Sequence, residues 1–178
     1  MRGTRAQKVV YRKPKESDAR QLMLHINRLI DEDTYILANA KHYSLKEERA
    51  WLKSVLKRMR TGNSACVVAE AGGRIVGLAH VDRQGDAHAT RSRHVGTFGI
   101  SISDPEFRGK GMGERLARLA IREAGRRGMR LVLLDYLDSN ERARRLYRKL
   151  GFRECGRIPG AVLFRGRLLA RVMMWKAL

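Results

Sequence analysis

The spacing of apolar residues divides the chain into alternating helical and extended segments. Apolar positions three and four residues apart recur over 17–30 and 45–60, a pattern typical of helices that bury one face. A third helix is predicted over 111–125 and a fourth over 140–150. Short apolar runs predict strands at 8–13, in a hairpin over 64–83, and at 94–103, 131–137, 152–158 and 168–178.

Capping residues mark where the predicted helices begin. Ser44, with Glu47 three residues later, forms a capping box for the second helix. Ser17 is predicted to cap the first helix, and either Asp138 or Ser139 to cap the fourth. Each of these side chains can accept a hydrogen bond from an N–H group of the first helical turn, which otherwise has no partner.

Polar and glycine-rich stretches supply the predicted connections. An Ala-Gly-Gly turn at 71–73 joins the hairpin strands, 31–43 is a loop or broken helix, and 83–94 and 159–167 are loops. The resulting order is β-α-α-β-β-β-α-β-α-β-β. Since no repeat or linker interrupts it, the sequence predicts one mixed α/β domain over 1–178, with its antiparallel front half and β-α-β back half sharing one sheet.

Charge is the outlying property of the composition. The chain has 38 Lys and Arg against 18 Asp and Glu, which gives a net charge of +20. A field of this size attracts anions, among which we count nucleic acid, nucleoprotein, an acidic protein and a small polyphosphate cofactor. A solvated, arginine-rich surface would have the same composition, so charge alone does not choose among these partners.

Three kinds of protein are disfavoured by the same sequence. No apolar run approaches the roughly 20 residues that span a bilayer, and the basic N-terminus lacks the apolar core of a signal peptide. Cys66 and Cys155 stand apart, without the companions of a disulfide framework or a zinc site. We therefore expect a reduced, cytoplasmic protein with neither a membrane segment nor a bound metal.

The hexapeptide RGKGMG at 108–113 lies between a predicted strand and a predicted helix. Successive N–H groups of a glycine-rich turn at a helix N-terminus form an anion cradle, to which the helix dipole adds. The turn is not a P-loop, because Lys110 is followed by Gly111 rather than by Ser or Thr. Its GxGxG spacing also departs from the GxGxxG fingerprint of dinucleotide-binding folds.

The same hexapeptide contains the pattern RxxGxG, formed by Arg108, Gly111 and Gly113. This pattern resembles the pyrophosphate-binding motif of the GNAT superfamily of N-acetyltransferases, which bind acetyl-CoA. The order of predicted elements is also that of the family, so the resemblance covers essentially the whole chain. It implies the GNAT fold and transfer of an acetyl group from acetyl-CoA to a primary amine, by direct attack of the amine on the thioester.

Two further features agree with this resemblance. Gly96 and Gly99 lie in the strand before the turn, where family members have a bulge whose backbone pairs with the pantetheine arm. Asn140 begins a predicted helix and Tyr147 follows seven residues later, ahead of a Gly-Phe pair, as in the family.

The resemblance also implies roles for residues in both motifs. Backbone N–H groups around Gly99 would polarise the thioester carbonyl if this strand diverges from the next one. Tyr147 would donate a proton to the departing thiolate, although it also fits the buried stripe of its helix. Asn140 is either a cofactor contact or a helix cap. The implied cofactor-binding residues are Gly99, Ile100, Ser101, Ile102, Arg108, Gly109, Lys110, Gly111, Met112, Gly113, Asn140 and Tyr147.

The residue that takes a proton from the acceptor amine is less well specified. A lysine acceptor of pKa about 10.4 needs more assistance at neutral pH than an α-amine of pKa about 7.8. We expect Glu32 to serve, because an acidic triplet in so basic a chain suits a cationic amine. The other candidates are His80, Asp82, Glu70 and His94.

The acceptor is expected to be a protein or peptide amine, since a strongly positive protein repels free polyamines but suits targets associated with nucleic acid. The alternatives are a small-molecule amine acetyltransferase and a non-catalytic module that binds CoA or nucleic acid. Direct reading of nucleic acid is disfavoured, because no aromatic residues interleave with the cations to stack bases. The sequence leaves open whether the protein is a monomer or a homodimer.

Overall fold

The computed structural model describes residues 7–35, 41–85 and 90–178. The strands are β1 (Val9–Arg12), β2 (Ser64–Ala71), β3 (Arg74–Arg83), β4 (Val95–Ile102), β5 (Leu131–Leu137), β6 (Arg153–Phe164) and β7 (Arg167–Ala177). The helices are α1 (Ala19–Asp31), α2 (Leu45–Arg60), α3 (Met112–Arg126) and α4 (Glu141–Lys149). This is the predicted order of elements, and the predicted mixed α/β class is confirmed.

All seven strands form one sheet, in the order β1-β2-β3-β4-β5-β7-β6. The first four strands are antiparallel, β4 and β5 are parallel, and β7 runs antiparallel to both β5 and β6. The single parallel pair is joined through α3, as a parallel connection requires. The predicted sharing of one sheet by the two halves is therefore confirmed.

Helices cover the two faces of the sheet, and each covered face has its own core. Leu116 of α3 is completely buried in the larger core, with Phe98 of β4 and Val132 of β5. On the opposite face, Leu22 of α1 and Leu52 of α2 pack together in a smaller cluster on β2 and β3. Because successive strand residues point to opposite faces, β2 and β3 contribute to both cores.

The start of α2 is as predicted. Ser44 Oγ accepts a hydrogen bond from Glu47 N at 3.3 Å, and the Glu47 carboxylate accepts one from Ser44 N at 2.7 Å. The prediction for α1 is wrong: Ser17 lies within a short 3₁₀ turn over 16–18, and the helix begins after that turn at Ala19.

The prediction that Asp138 or Ser139 caps α4 is also wrong, whereas the role of helix cap given to Asn140 as an alternative is confirmed. Asn140 caps this helix, with its Oδ1 accepting from Ala143 N at 3.1 Å. Asp138 instead binds Arg157 of β6 at 2.6 Å, so its carboxylate is turned away from the helix.

Of the three predicted loops, one needs correction and two fall partly outside the described residues. The connection predicted over 159–167 is mostly strand: β6 continues to Phe164, and Arg165 and Gly166 alone make the turn into β7. Pro159 and Gly160 produce an irregular register between Ile158 and Val162, which an edge strand tolerates. Residues 36–40 and 86–89, within the other two predicted loops, are not among the described residues.

The predicted bulge in β4 does not disturb its pairing with β3. The register is constant from Gly77 opposite Ile102 to Arg83 opposite Gly96. Gly96 is needed for packing instead, because a Cβ atom there would lie 2.5 Å from Val81 Cγ1. None of the helices in the described part of the chain is both long and apolar enough to cross a membrane.

Leu116 provides a test of the larger core. Leu116→Ala should lower the free energy of unfolding by about 3 kcal/mol, because it leaves a cavity under α3. Leu168→Ala is the matched control: its side chain is 71% exposed, and the loss should stay below about 0.5 kcal/mol. Urea denaturation followed by circular dichroism measures both, and equal losses would contradict the assigned core.

Candidate active site

The divergence of β4 and β5 opens the candidate site. The two strands pair only from Val95 to Thr97, opposite Leu131 to Leu133. Beyond this point β4 stays with β3 as far as Ile102, while β5 stays with β7. The β5-facing backbone groups of β4 after Thr97 are thus free of that neighbour and can bind an extended ligand.

A cavity of about 1240 Å³ surrounds this gap. Its walls come from α1, α2, β3, β4, β5 and α4, together with the turn that precedes α3. Of the predicted cofactor-binding residues, the cavity brings together Gly99, Ile100, Ser101, Ile102, Arg108, Gly109, Gly111, Gly113, Asn140 and Tyr147. Glu32 and His80, predicted as proton acceptors, line it as well.

The turn before α3 has the backbone conformation of an anion cradle. Gly109 and Gly111 have φ values of 76° and 80°, which residues with a Cβ atom rarely adopt. Gly111 is the residue before α3, so the cradle lies at the positive end of a helix dipole. A phosphate can therefore approach the backbone here without meeting side chains.

The side chain of Arg108 fixes this turn to the rest of the site. Its Nε donates to Ile102 O at 3.0 Å, and its Nη2 donates to Ser103 O at 3.2 Å and to Glu32 Oε2 at 2.5 Å. Arg108 thus ties the turn to the end of β4 and to the end of α1. Its guanidinium is engaged in these contacts, which leaves the backbone N–H groups as the main anion donors of the turn.

Lys110 and Met112 differ in their surroundings from the other residues of the hexapeptide. Lys110 is exposed, and its charge can reach an anion held by the turn. Met112 is buried in the larger core, close to Gly77, so that its backbone alone faces the turn.

Tyr147 lies deep in the cavity wall with 7% of its surface exposed. Its ring packs against Phe98, Tyr136 and Phe152, with centroid distances near 6 Å. Burial, with smaller contributions from Asp135 and Tyr136, raises the pKa of Tyr147 to about 12. The phenol is therefore protonated at neutral pH, and no described residue hydrogen-bonds its oxygen.

Two histidines line the acceptor side, the part of the cavity between α1, α2 and β3. His25 of α1 is buried, and its Nε2 lies 2.8 Å from Ser101 Oγ. Burial lowers the pKa of His25 to about 4, so the ring is neutral and fixes the Ser101 hydroxyl. Sequence analysis missed His25, because its position fits the period of the buried face of α1 and nothing in the sequence distinguishes it from the core residues of that face.

His80 lies beside the gap. A Cβ atom at Gly99 would be 2.6 Å from His80 Cε1, which explains the glycine in β4 at this point. Burial lowers the pKa of His80, while Asp82, 3.8 Å from its Nε2, acts in the opposite direction. Asp82 also lies 3.3 Å from Arg58, which leaves His80 a neutral ring at the cavity wall.

Three of the predicted proton acceptors do not line the cavity. Asp82, paired with Arg58 at 3.3 Å, is the first of them. Glu70 is paired with Arg12 at 2.6 Å on the β1–β2 edge, away from the cavity. His94 is an exposed turn residue before β4 and is not part of the cavity wall. Among the described residues, no cluster of His, Cys, Asp and Glu has the composition of a metal site.

Glu48 is the other residue that sequence analysis missed. It belongs to the first turn of α2, is 7% exposed and contributes to the cavity wall. Burial raises the pKa of Glu48 to about 7. The signal was present in the sequence: Leu45, Glu48, Leu52 and Val55 follow the period of one helix face, so a glutamate occupies a buried position.

Glu48 gives the protein a defined pH dependence. Its folded-state pKa lies above the ordinary value of 4.5, so the folded state holds a proton that the unfolded state has released. The free energy of unfolding therefore falls as pH rises from 4.5 to 7. Glu48→Gln should unfold several degrees above the unsubstituted protein at pH 8 and show little difference at pH 4.5, as calorimetry would measure.

Glu47→Gln is the matched control for this measurement. Glu47 is exposed, and its hydrogen bonds with Ser44 lower its pKa, which is the opposite shift. The control should show no stabilisation at pH 8. A Glu48→Gln variant that is destabilised equally at both pH values would contradict the burial of an ionisable carboxyl group.

Comparisons with known proteins agree on the family and differ in the acceptor. A curated N-acetyltransferase of uncharacterized activity from Methanocaldococcus jannaschii is 34% identical over 116 residues, which is 64% of this chain and 50% of that protein. A mycothiol acetyltransferase from Saccharomonospora viridis is 29% identical over 130 residues, covering 68% of this chain and 42% of its own length. The chain thus spans about half the length of these curated relatives.

A solved structure matches nearly the whole chain. The ribosomal-protein-alanine N-acetyltransferase of Brucella melitensis is 27% identical, with a TM-score of 0.82 over 95% of this chain and 99% of that one. The family model described as the acetyltransferase (GNAT) family matches residues 24–152, which include the second half of α1, the glycine-rich turn at 108–113 and α4. The divergent β4 and β5, the cradle before α3 and these matches agree: the chain belongs to the GNAT family of acetyltransferases.

Proposed function

We propose that the protein is an acetyl-CoA-dependent N-acetyltransferase whose acceptor is a primary amine of a protein or peptide. The observation that carries the proposal is the gap between β4 and β5. Tyr147 borders the gap on one face of the sheet, and the acceptor side of the cavity borders it on the other face. A donor held in the gap would be reached by a proton donor and by an amine from opposite faces of the sheet.

The residues of the gap and the turn fit acetyl-CoA. The backbone of β4 from Gly99 to Ile102 would align the pantetheine arm, and the turn over 109–113 would hold the pyrophosphate. Lys110 would add charge from solvent, and Asn140, whose Oδ1 caps α4, would meet the ligand through its amide nitrogen. When bound, acetyl-CoA supplies an acetyl group activated as a thioester.

The chain's own groups provide the remaining chemistry. Free N–H groups of β4 are preorganised donors for the charge that develops on the acetyl oxygen. Tyr147 holds its proton at neutral pH and can release it to a sulfur anion formed beside it. Removal of this donor should slow the reaction without weakening the binding of acetyl-CoA.

Glu32 and His80 are both placed to assist the acceptor amine. Glu32 is the residue favoured from sequence, but its carboxylate is held by Arg108 at 2.5 Å, which suits a positioning role. His80 is neutral and lies against Gly99, so its lone pair is available. Replacing Glu32 by glutamine and His80 by an apolar residue, one at a time, separates the positioning role from the role of the base.

The acceptor side suits an amine carried on a larger molecule. Tyr35 and Trp51 line the cavity while being 41% and 38% exposed, which gives its rim aromatic surface for a peptide chain. Asp33 is paired with Arg165 at 2.6 Å, as Glu32 is with Arg108, so these acids are not free for a polyamine. The Brucella melitensis protein, named for a ribosomal-protein substrate, supports the same class of acceptor, and the mycothiol enzyme supports the small-molecule alternative.

Tyr147→Phe tests the proton donor. We expect kcat to fall by about 100-fold with little change in KM for acetyl-CoA, because only the phenol proton is lost. Tyr136→Phe is the matched control, since the Tyr136 hydroxyl donates to Glu154 at 3.1 Å. It should retain most of its activity. Equal kcat values for Tyr147→Phe and the unsubstituted protein would contradict the role of Tyr147.

The acceptor class is tested with labelled acetyl-CoA and a cell extract separated into macromolecules and small molecules. Label should appear in the macromolecular fraction, at an amino terminus or a lysine located by mass spectrometry. Label confined to small amines or thiols would replace the proposed acceptor with the small-molecule alternative. Calorimetric binding of acetyl-CoA without transfer to either fraction would favour a non-catalytic module.

A further inference from the structure

We propose that Glu48 receives the acceptor's ammonium group, takes a proton from it, and thereby favours an α-amine over a lysine side chain. This rests on the proposed function in one respect, namely that an amine enters the cavity from the acceptor side. It assigns to that site a base that neither the motifs nor the family match supplies.

The position of Glu48 is the first observation. It lies one helical turn before Leu52, on the face of α2 that packs towards the sheet, and it contributes to the cavity wall. It is therefore almost enclosed by protein and yet open to a molecule that enters the cavity.

The second observation is that Glu48 has no compensating charge within the described residues. Its neighbours on the acceptor side have partners: Glu32 binds Arg108, Asp33 binds Arg165, and Glu47 binds the cap residue Ser44. No hydrogen bond or ion pair to the Glu48 carboxylate occurs in 7–35, 41–85 and 90–178. In a chain of net charge +20, with many cations to spare, this carboxylate is left for a cation from outside.

The groups that face α2 do not supply that charge. They are Asp18, held by Arg12; Asp82 of β3, held by Arg58; His25 of α1 and His80 of β3, both with lowered pKa; and Cys66 of β2, whose pKa burial raises to about 12. All five are neutral or already paired near pH 7. Burial alone raises the pKa of Glu48, as expected when no charged neighbour acts on it.

The proton transfer is balanced without another reagent. An N–H bond of the ammonium breaks and an O–H bond forms on Glu48, while the nitrogen keeps the electron pair with which it attacks. Because a buried ion pair is poorly solvated, the site lowers the cost of converting it into a neutral amine and a neutral carboxyl group. The proton leaves Glu48 for water once the acetylated product has departed.

The lower pKa of an α-amine makes it the preferred acceptor over a lysine side chain. Burial brings the pKa of Glu48 to about 7, close to that of an α-amine at about 7.8 and far from that of lysine at about 10.4. The difference between the two amines corresponds to roughly 400-fold in the equilibrium for this proton transfer. An amino terminus is therefore the acceptor that Glu48 can deprotonate with least cost.

Kinetics on two matched peptides test the proposal. One peptide has a free amino terminus and no lysine; the other has a blocked amino terminus and one lysine. The unsubstituted protein should prefer the first by at least about 10-fold in kcat/KM. Its kcat/KM should rise with pH through the pKa of Glu48 and fall as the α-ammonium is lost, which gives a bell-shaped profile.

Glu48→Gln should lower kcat/KM for the first peptide by about 100-fold and abolish the alkaline fall, because only the free neutral amine can then react. Glu16→Gln, a change at an exposed residue that does not line the cavity, should leave both the rate and the bell-shaped pH profile unchanged. A Glu48→Gln variant with the original rate and profile would overturn the proposal, as would a preference for the lysine peptide.

A second measurement does not depend on turnover. The carboxyl ¹³C signal of Glu48, identified by its absence from Glu48→Gln, is titrated with n-butylammonium chloride or with n-butanol and sodium chloride. The ammonium should lower the pKa of Glu48 by about one unit or more, and the alcohol should leave it unchanged. A pKa of Glu48 that neither the ammonium nor the alcohol changes would overturn the proposal, even if acetylation were observed. A lowered pKa with neither peptide acetylated would support Glu48 and count against the proposed acceptor class.

Discussion

The early separation of β4 from β5 is the constraint on which the rest of the site depends. A parallel pair that remained hydrogen-bonded along its full length would have no free backbone at the centre of the sheet. Here the pairing ends at Thr97, and the two strands then follow different neighbours. The antiparallel partners β3 and β7 keep each strand extended, so a ligand can replace the missing ladder without any strand unfolding.

The two faces of the sheet give the gap its two sides. Phe98 points towards the larger core, where Tyr147 packs at its edge, while the next residue, Gly99, faces His80 and the helices of the acceptor side. The period of two along β4 thus places Tyr147, the proposed proton donor, and the groups proposed to meet an amine on opposite faces of the sheet. Arg108 connects the two motifs physically, since it binds the end of β4 and Glu32 from the turn before α3.

Local sequence signals were sufficient where local physics decides the structure. The Ser44 capping box and the glycines before α3 act within a few residues, and both were predicted correctly. The cap of α4 was not, because Asp138, Ser139 and Asn140 are all good caps and the choice depends on Arg157 in a distant strand. The length of β6 depends in the same way on its pairing with β7.

The candidate site also divides into a part that nearby residues determine and a part that distant residues determine. The cofactor half consists of contiguous motifs, whereas the acceptor half combines α1, α2 and β3, which no short pattern links. Glu48 resembles the exposed charges around it in KEER until the burial period of α2 is followed through it. Glu32 was identified by charge alone, and its contact with Arg108 could not be inferred from residues 76 positions apart.

Amide hydrogen exchange measured with and without acetyl-CoA tests the gap most directly. The amides within 98–102 that point away from β3 should exchange rapidly in the protein alone, and they and the amides of 109–113 should become protected when acetyl-CoA is added. The β6 edge at 153–158 should remain unchanged, as an internal control. Exchange of those β4 amides that is already slow, or that acetyl-CoA leaves unaltered while binding, would contradict a donor site between β4 and β5.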